Sequence, residues 1–227
     1  MRASEKAPET DTRLVWVHKS DNAHTVKGGW NTMGMRGTQS VPIDFDAELP
    51  ADRVLPKSFK EMGDRTLLPL GVLGFASVWT GAARGILDEV TQRTRLRGGA
   101  SDPVLAQLAR FRTRLDIVDT FILQLAERVD HARSADEEPA SDYWIALNSA
   151  KVAASETAFE VVDGLIQVVG LKEGFLQNDD LPIERVFRDL RSASLMHHNE
   201  RLLAVSGRMM LMERLTMDED AGTGPLA

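Results

Sequence analysis

The 227-residue chain contains no cysteine, which excludes a disulfide scaffold, a thiolate metal site and a cysteine nucleophile, and fits a reducing cytoplasm without requiring one. It also lacks an excess of positive charge: 27 Lys and Arg stand against 34 Asp and Glu, a formal charge of −7. With no basic stripe behind that average, neither a nucleic-acid surface nor an anionic-membrane anchor is expected. The first twelve residues, MRASEKAPETDT, lack the apolar core of a signal peptide, so a cytoplasmic protein with a disordered start over residues 1–12 is expected. Only Thr66 to Ala83 is uncharged over a length that approaches a membrane span. Pro69, Gly71, Gly74, Ser77, Thr80 and Gly81 dilute it, and no dominant basic cluster flanks it. A helix buried on all sides by protein is the expectation.

What is present is enough for a large core: 43% of the residues are hydrophobic. β-Branched and aromatic residues gather early. Arg13 to Lys19 (RLVWVHK) and Gly37 to Phe45 (GTQSVPIDF) alternate, with Val41, Ile43 and Phe45 on one face, and read as short strands. Gly28, Gly29 and Gly34 supply turn chemistry around Trp30, and Pro50 and Pro56 interrupt regular structure after the strands.

From about Asp64 the periodicity becomes helical, with four long helices. In the second, Leu108, Phe111, Leu115, Val118, Ile122, Leu125 and Val129 recur at spacings of three and four, behind an Asp102-Pro103 start. The third opens near Ser141, places Ile145, Val152, Phe159 and Ile166 seven apart, and stops at Gly170. The fourth starts at Asp180, with Pro182 in its first turn, and runs through Val186, Leu190, Leu203 and Leu211. The fold class is therefore mainly α, an antiparallel four-helix bundle over residues 57–215 preceded by two or three β-strands over 13–56. The acidic tail 216–227 is expected to be disordered.

Two motifs lie around this pattern. Trp30, then Gly34-Met35-Arg36-Gly37-Thr38 and Ser40, leads into the strand ending at Phe45. Gln167 and Gly170 are followed by Pro182-Ile183-Glu184-Arg185-Val186-Phe187-Arg188-Asp189. In this order they resemble the end of the middle β-domain and the last bundle helices of the acyl-CoA dehydrogenase family, over about Leu14 to Met212. The resemblance implies an oligomeric, FAD-dependent oxidoreductase that removes hydrogens from the α and β carbons of an acyl-CoA or other acyl thioester. It also implies that the family's N-terminal helical domain and most of its β-domain have no counterpart in this chain. On that expectation the chain is inactive alone and works in a homo- or hetero-oligomer formed through the bundle, with FAD shared with or held by a partner subunit. Two other readings stay open: a non-catalytic partner subunit, and a flavin monooxygenase-like relative.

Abstracting a weakly acidic C–H proton needs a positioned base of suitable pKa. The family's Glu sits at one of two places, which here fall on His197 and on Leu68, Pro69 and Leu70, so neither carries a carboxylate. Glu200, one helical turn beyond His197, reads as a solvated helix-face charge. His197 is the candidate catalytic residue, because related monooxygenases place histidines near the flavin from this helix and imidazole carries protons near neutral pH. His197 and His198, as helix neighbours, diverge by about 100° and cannot chelate one ion, so no metal site is expected. For FAD the resemblance points to Gln167, Gly170 and one arginine among Arg93, Arg95 and Arg97, with Arg95 taken as the contact. Leu171 replaces the family's second glycine, and Gly174 lies three residues further on. Arg185, Arg188 and Asp189 read as an ion-pair network at a helix start.

Overall fold

Alternating segments as short as those near the N-terminus can form only short ladders, and they do so in pairs. The computed structural model describes residues 8, 12–21, 24–135 and 139–221, so most of the expected disordered start and residues 222–227 of the expected tail lie outside the described residues. The chain divides into two compact units, Met1–Gly71 and Val72–Ala227.

In the first unit, β1 (Arg13–Val15), β2 (His24–Val26), β3 (Ile43–Phe45) and β4 (Val54–Ser58) make two antiparallel ribbons. β2 pairs with β3 through His24↔Phe45, Thr25↔Asp44 and Val26↔Ile43, and β1 pairs with β4 through Arg13↔Ser58 and Val15↔Val54. Two sequence expectations are corrected here. Pro56 lies within a strand: β4 spends two more residues than β1 between the paired positions, and a bulge tolerates a residue without an N–H. Arg13 donates to the Pro56 carbonyl. Ile43 and Phe45, expected to face inward, are exposed, since a two-stranded ribbon brings no second layer to cover a face. Around Trp30 the left-handed residues are Gly28 (φ 71°), Met35 (φ 55°) and Gln39 (φ 46°), and the Trp30 indole donates to the Met35 carbonyl at 2.8 Å.

The helices follow as α1 (Phe59–Met62), α2 (Leu68–Leu96), α3 (Asp102–Ala135), α4 (Ser141–Gly170), α5 (Ile183–Leu190) and α6 (Asn199–Ala221). The segment Phe59–Leu96 is long and apolar enough to cross a membrane. It is buried on one face, not on all sides. Leu73, Ala76, Trp79, Ala83, Ile86, Leu87 and Val90 enter the core, while Val78 is 66% exposed. α3 buries Leu108, Phe111, Leu115, Val118, Ile122, Leu125 and Val129, the seven that the spacing selects. Its cap moves by one residue: the Leu105 amide donates to the Ser101 carbonyl at 3.0 Å, so Ser101 precedes the first helical residue, Asp102.

α4 is the central helix, packed on α3, α5 and α6. Its innermost line is Leu147, Ala150, Ala154, Ala158, Val161 and Leu165, whereas Ile145, Phe159 and Ile166 of the expected line are half-buried. Alanines four apart let neighbouring helices come close, so the face with the smallest side chains lies deepest. Gly164 continues this logic, with the Phe111 ring seated against its backbone. Arg84 bridges α2 to α3 through Asp116 at 2.8 Å and Asp119 at 2.6 Å, and Arg128 bridges α3 to Asp142 at 2.7 Å.

The expected fourth helix is two helices. Residues 191–198 form a turn between α5 and α6, and α6 continues to Ala221, past the expected start of the tail at Thr216. Pro182 caps α5 rather than lying in its first turn, and Arg188 pairs with Glu184 at 2.8 Å as a helix-start ion pair. Serine supplies part of the break. The Ser192 hydroxyl donates to the Asp189 carbonyl at 2.6 Å, a side-chain bond that competes with helical continuation.

Candidate functional site

The sequence places its candidate base in a helix, and the structure places it in the break. His197 (φ 55°) and His198 (φ 32°) are both left-handed and both exposed. Each such conformation costs a non-glycine residue on the order of 1 kcal/mol and persists only where the surroundings impose it. Backbone bonds wind the turn tightly: Met196 to Ser192 at 3.0 Å, His198 to Leu195 at 3.2 Å, and Asn199 to Ser194 at 3.2 Å. α6 then starts with the Arg201 and Leu202 amides on the His198 carbonyl.

Beneath the turn lies a buried polar group that the sequence reading missed. The Lys151 ammonium on α4 donates to the Ala193 carbonyl at 2.8 Å and to Asn199 Oδ1 at 2.6 Å, and it lies 5.6 Å from the centroid of the Trp79 ring. The Asn199 amide in turn donates to Ser155 Oγ and to Glu156 Oε1, both at 3.0 Å. Lys151 is 2% exposed, Ser155 1% and Asn199 6%. Two carbonyl-type acceptors and an aromatic face account for the ammonium's hydrogens, which is what a buried charge requires. Burial holds the amine below the ordinary lysine value, with the Glu156 carboxylate pulling the other way. The available signal was a lysine four residues after Leu147 and four before Ser155, a charge on the apolar face of α4.

The residues chosen for FAD lie at the other end of α4 and at the end of α2. Gln167 is exposed in the last turn of α4, and Gly170 (φ 78°) closes the helix in a conformation suited to glycine. A side chain at Gly170 would meet nothing within 4 Å among the described residues. Of the three arginines, Arg93 pairs with Glu89 at 2.7 Å and donates to the Asp180 carbonyl at 2.8 Å, and Arg97 pairs with Glu173. These two tie the end of α2 to the segment after Gly170. Arg95 is exposed and makes no ion pair among the described residues. It lines a depression of about 610 Å³ with Asp88, Thr91, Gln92, Leu96 and Arg112. No hydrogen bond or ion pair among the described residues joins Arg95 to Gln167.

The guanidinium of Arg95, the Thr91 hydroxyl and the Gln92 amide suit a phosphate, against the Asp88 carboxylate in the same lining, while Gln167 is exposed on α4 and is not part of that lining. The backbone at Gly170 does not suit one, because a helix C-terminus presents carbonyls. The fit therefore extends to a phosphate-bearing end of a flavin nucleotide. Among the described residues there is no group of three or more His, Asp or Glu placed to hold a metal ion.

Known proteins match this arrangement. An amino sugar nitrososynthase from Streptomyces peucetius is 29% identical over 184 residues, covering 76% of this chain and 44% of its own length. The human mitochondrial very long-chain specific acyl-CoA dehydrogenase is 27% identical over 205 residues, covering 82% of this chain and 30% of its own length. The chain thus spans less than half the length of these curated relatives. The crystal structure of dibenzothiophene monooxygenase from Paenibacillus sp. A11-2 shares the fold, with a TM-score of 0.77 at 21% identity over 92% of this chain and 58% of that one. The family described as acyl-CoA dehydrogenase, C-terminal domain, matches residues 73–200, the stretch that holds the α2–α5 bundle, the 191–198 turn and the start of α6. By that match, this chain belongs to the acyl-CoA dehydrogenase family.

Proposed function

We propose that this chain forms the helical-bundle part of a flavin-dependent oxidoreductase in which His197 moves a proton at the reacting centre, as suits a monooxygenase-type reaction. The observation that carries this reading is the 191–198 turn, which presents two exposed imidazoles and no carboxylate. For the weakly acidic α proton of a thioester, the family resemblance implies a carboxylate base. An imidazole instead gives and takes protons at oxygen or nitrogen near neutral pH. The match to the nitrososynthase and the shared fold with the dibenzothiophene monooxygenase support the same direction. A bound flavin supplies the electron transfer. On this reading Arg95, Thr91 and Gln92 hold its phosphate-bearing end, and the ring is held with a partner subunit in a homo- or hetero-oligomer.

The second reading is α,β-dehydrogenation of an acyl thioester. Glu200 favours it, an exposed carboxylate on the first turn of α6 beside the histidines. One assay separates the two, run on the assembly isolated through a tagged copy of this chain and supplied with flavin. Oxygen uptake driven by reduced flavin is expected to exceed acyl-CoA-dependent dye reduction. Dye reduction with acyl-CoA and no oxygen uptake would instead establish the second reading.

A further inference from the structure

Two consecutive left-handed histidines do not hold their shape unaided, and the turn that carries them is fastened at both ends by one side chain of another helix. We infer that Lys151 is a positioning residue for His197, its ammonium clamping the 191–198 turn by bonding Ala193 at one end and Asn199 at the other. The inference rests on the reading of His197 given above and deepens it.

Three observations converge. The two acceptors are six residues apart in sequence and flank the histidines, so a single buried ammonium, 2.8 and 2.6 Å from them, sets the span of the loop between. Asn199 cannot swing away with the loop, because its amide is held by Ser155 and Glu156 of α4 at 3.0 Å each. The lysine itself is fixed by the Trp79 ring at 5.6 Å, and Trp79 is buried in the core and stacked on Phe75 with ring centroids 5.7 Å apart. An uncompensated charge in such a place is costly, so the closed turn is the arrangement in which the ammonium keeps its acceptors. An open turn withdraws the Ala193 carbonyl and leaves the ammonium short of a partner. The imidazole at 197 thus owes its place to a group that touches neither substrate nor cofactor.

The experiment compares Lys151→Met with wild type by amide hydrogen exchange, residue by residue, and by turnover in the isolated assembly. In Lys151→Met the amides of Met196, His198 and Asn199 are expected to exchange at least tenfold faster, with those of α3 unchanged. Turnover number is expected to fall about tenfold with KM within twofold. Unchanged exchange in the turn overturns the inference, as does equal acceleration throughout the bundle. So does full turnover in Lys151→Met when His197→Gln abolishes it. Should His197→Gln itself keep full turnover, the reading of His197 fails, while the exchange data still decide the clamp.

If Lys151→Met does not fold, reductive methylation of the native wild-type protein serves. Lys151 is expected to label far more slowly than exposed Lys172 and at the opening rate of the His198 amide. Rapid labelling of Lys151 while the turn amides stay protected overturns the clamp.

Discussion

Gly164 is where a single methyl group does the most calculable damage. A Cβ built there lies 2.3 Å from Phe111 Cζ, 2.9 Å from Cε1 and 3.3 Å from Cε2. Carbon atoms do not approach to 2.3 Å, and Phe111 is itself buried in the α3 face, so the ring tip must retreat into a packed core. Overpacking of this kind costs about 1–3 kcal/mol, and the severity of the contact places Gly164→Ala toward the upper end. Alanine recovers about 1 kcal/mol over glycine inside a helix, leaving a net destabilisation of roughly 2 kcal/mol. For a chain of this size that is a fall in Tm of about 4–8 °C, read by scanning calorimetry or circular dichroism. Gly81→Ala is the control, because its Cβ meets nothing within 4 Å on the exposed side of α2, and it should stabilise by about 0.5–1 kcal/mol. Adding Phe111→Leu to Gly164→Ala should show a favourable coupling on the order of 1 kcal/mol, since the shorter side chain removes the colliding ring tip. A Tm for Gly164→Ala equal to or above wild type would refute the close-packing argument for the α3–α4 contact.

Three further outcomes are expected. Burial lowers the Lys151 pKa, so between its folded value and the ordinary 10.5 the unfolded chain binds more protons and unfolding free energy rises with pH, while below that window the full cost of burying the ammonium remains. The stability difference between wild type and Lys151→Met, from urea titrations as the pH rises toward 10.5, should therefore move in favour of wild type; a difference that moves against wild type would contradict the lowered value. The bundle unit exposes Val78, Ile117, Leu123, Leu171, Phe175 and Leu211, an apolar surface that association would cover, so light scattering at micromolar concentration should not give a 25.1 kDa monomer. Arg95→Ala should weaken FMN and FAD binding at least tenfold in fluorescence titrations while leaving riboflavin, which has no phosphate, unaffected; equal loss for all three would remove Arg95 from the phosphate end.

Helical periodicity carried most of the fold, because α3 has one continuous apolar face with its charged residues off that face, and its seven buried residues follow from spacing alone. It held only in part on α4, where Val152 and Val162 are buried but Ile145, Phe159 and Ile166 are half-buried, because apolar residues occur around much of the helix and periodicity does not single out one face. It failed at 191–198, where Leu195 and Met196 keep an apolar rhythm across a break made by hydroxyl–backbone bonds and left-handed histidines. Proline was over-read in the first unit, since a bulged ribbon accommodates Pro56. At the site, the family resemblance pointed to His197, Arg95, Gln167 and Gly170, but nothing local could announce that Lys151 reaches Ala193 and Asn199, more than 40 residues away. Contacts of that range exist only once the bundle has closed.

The central claim, that His197 moves a proton in a flavin-dependent reaction, is tested most directly by turnover of His197→Gln and His197→Glu in the isolated assembly, with circular dichroism and flavin content held equal to wild type. Loss of a general acid or base costs roughly 10²-fold or more, so His197→Gln should lose at least that factor in oxygen-coupled turnover. His197→Glu, which puts a carboxylate where the family resemblance expects one, should gain acyl-CoA-dependent dye reduction by an order of magnitude. Wild-type turnover in His197→Gln, together with no dye reduction in His197→Glu, would contradict the assignment and leave the chain a non-catalytic partner subunit.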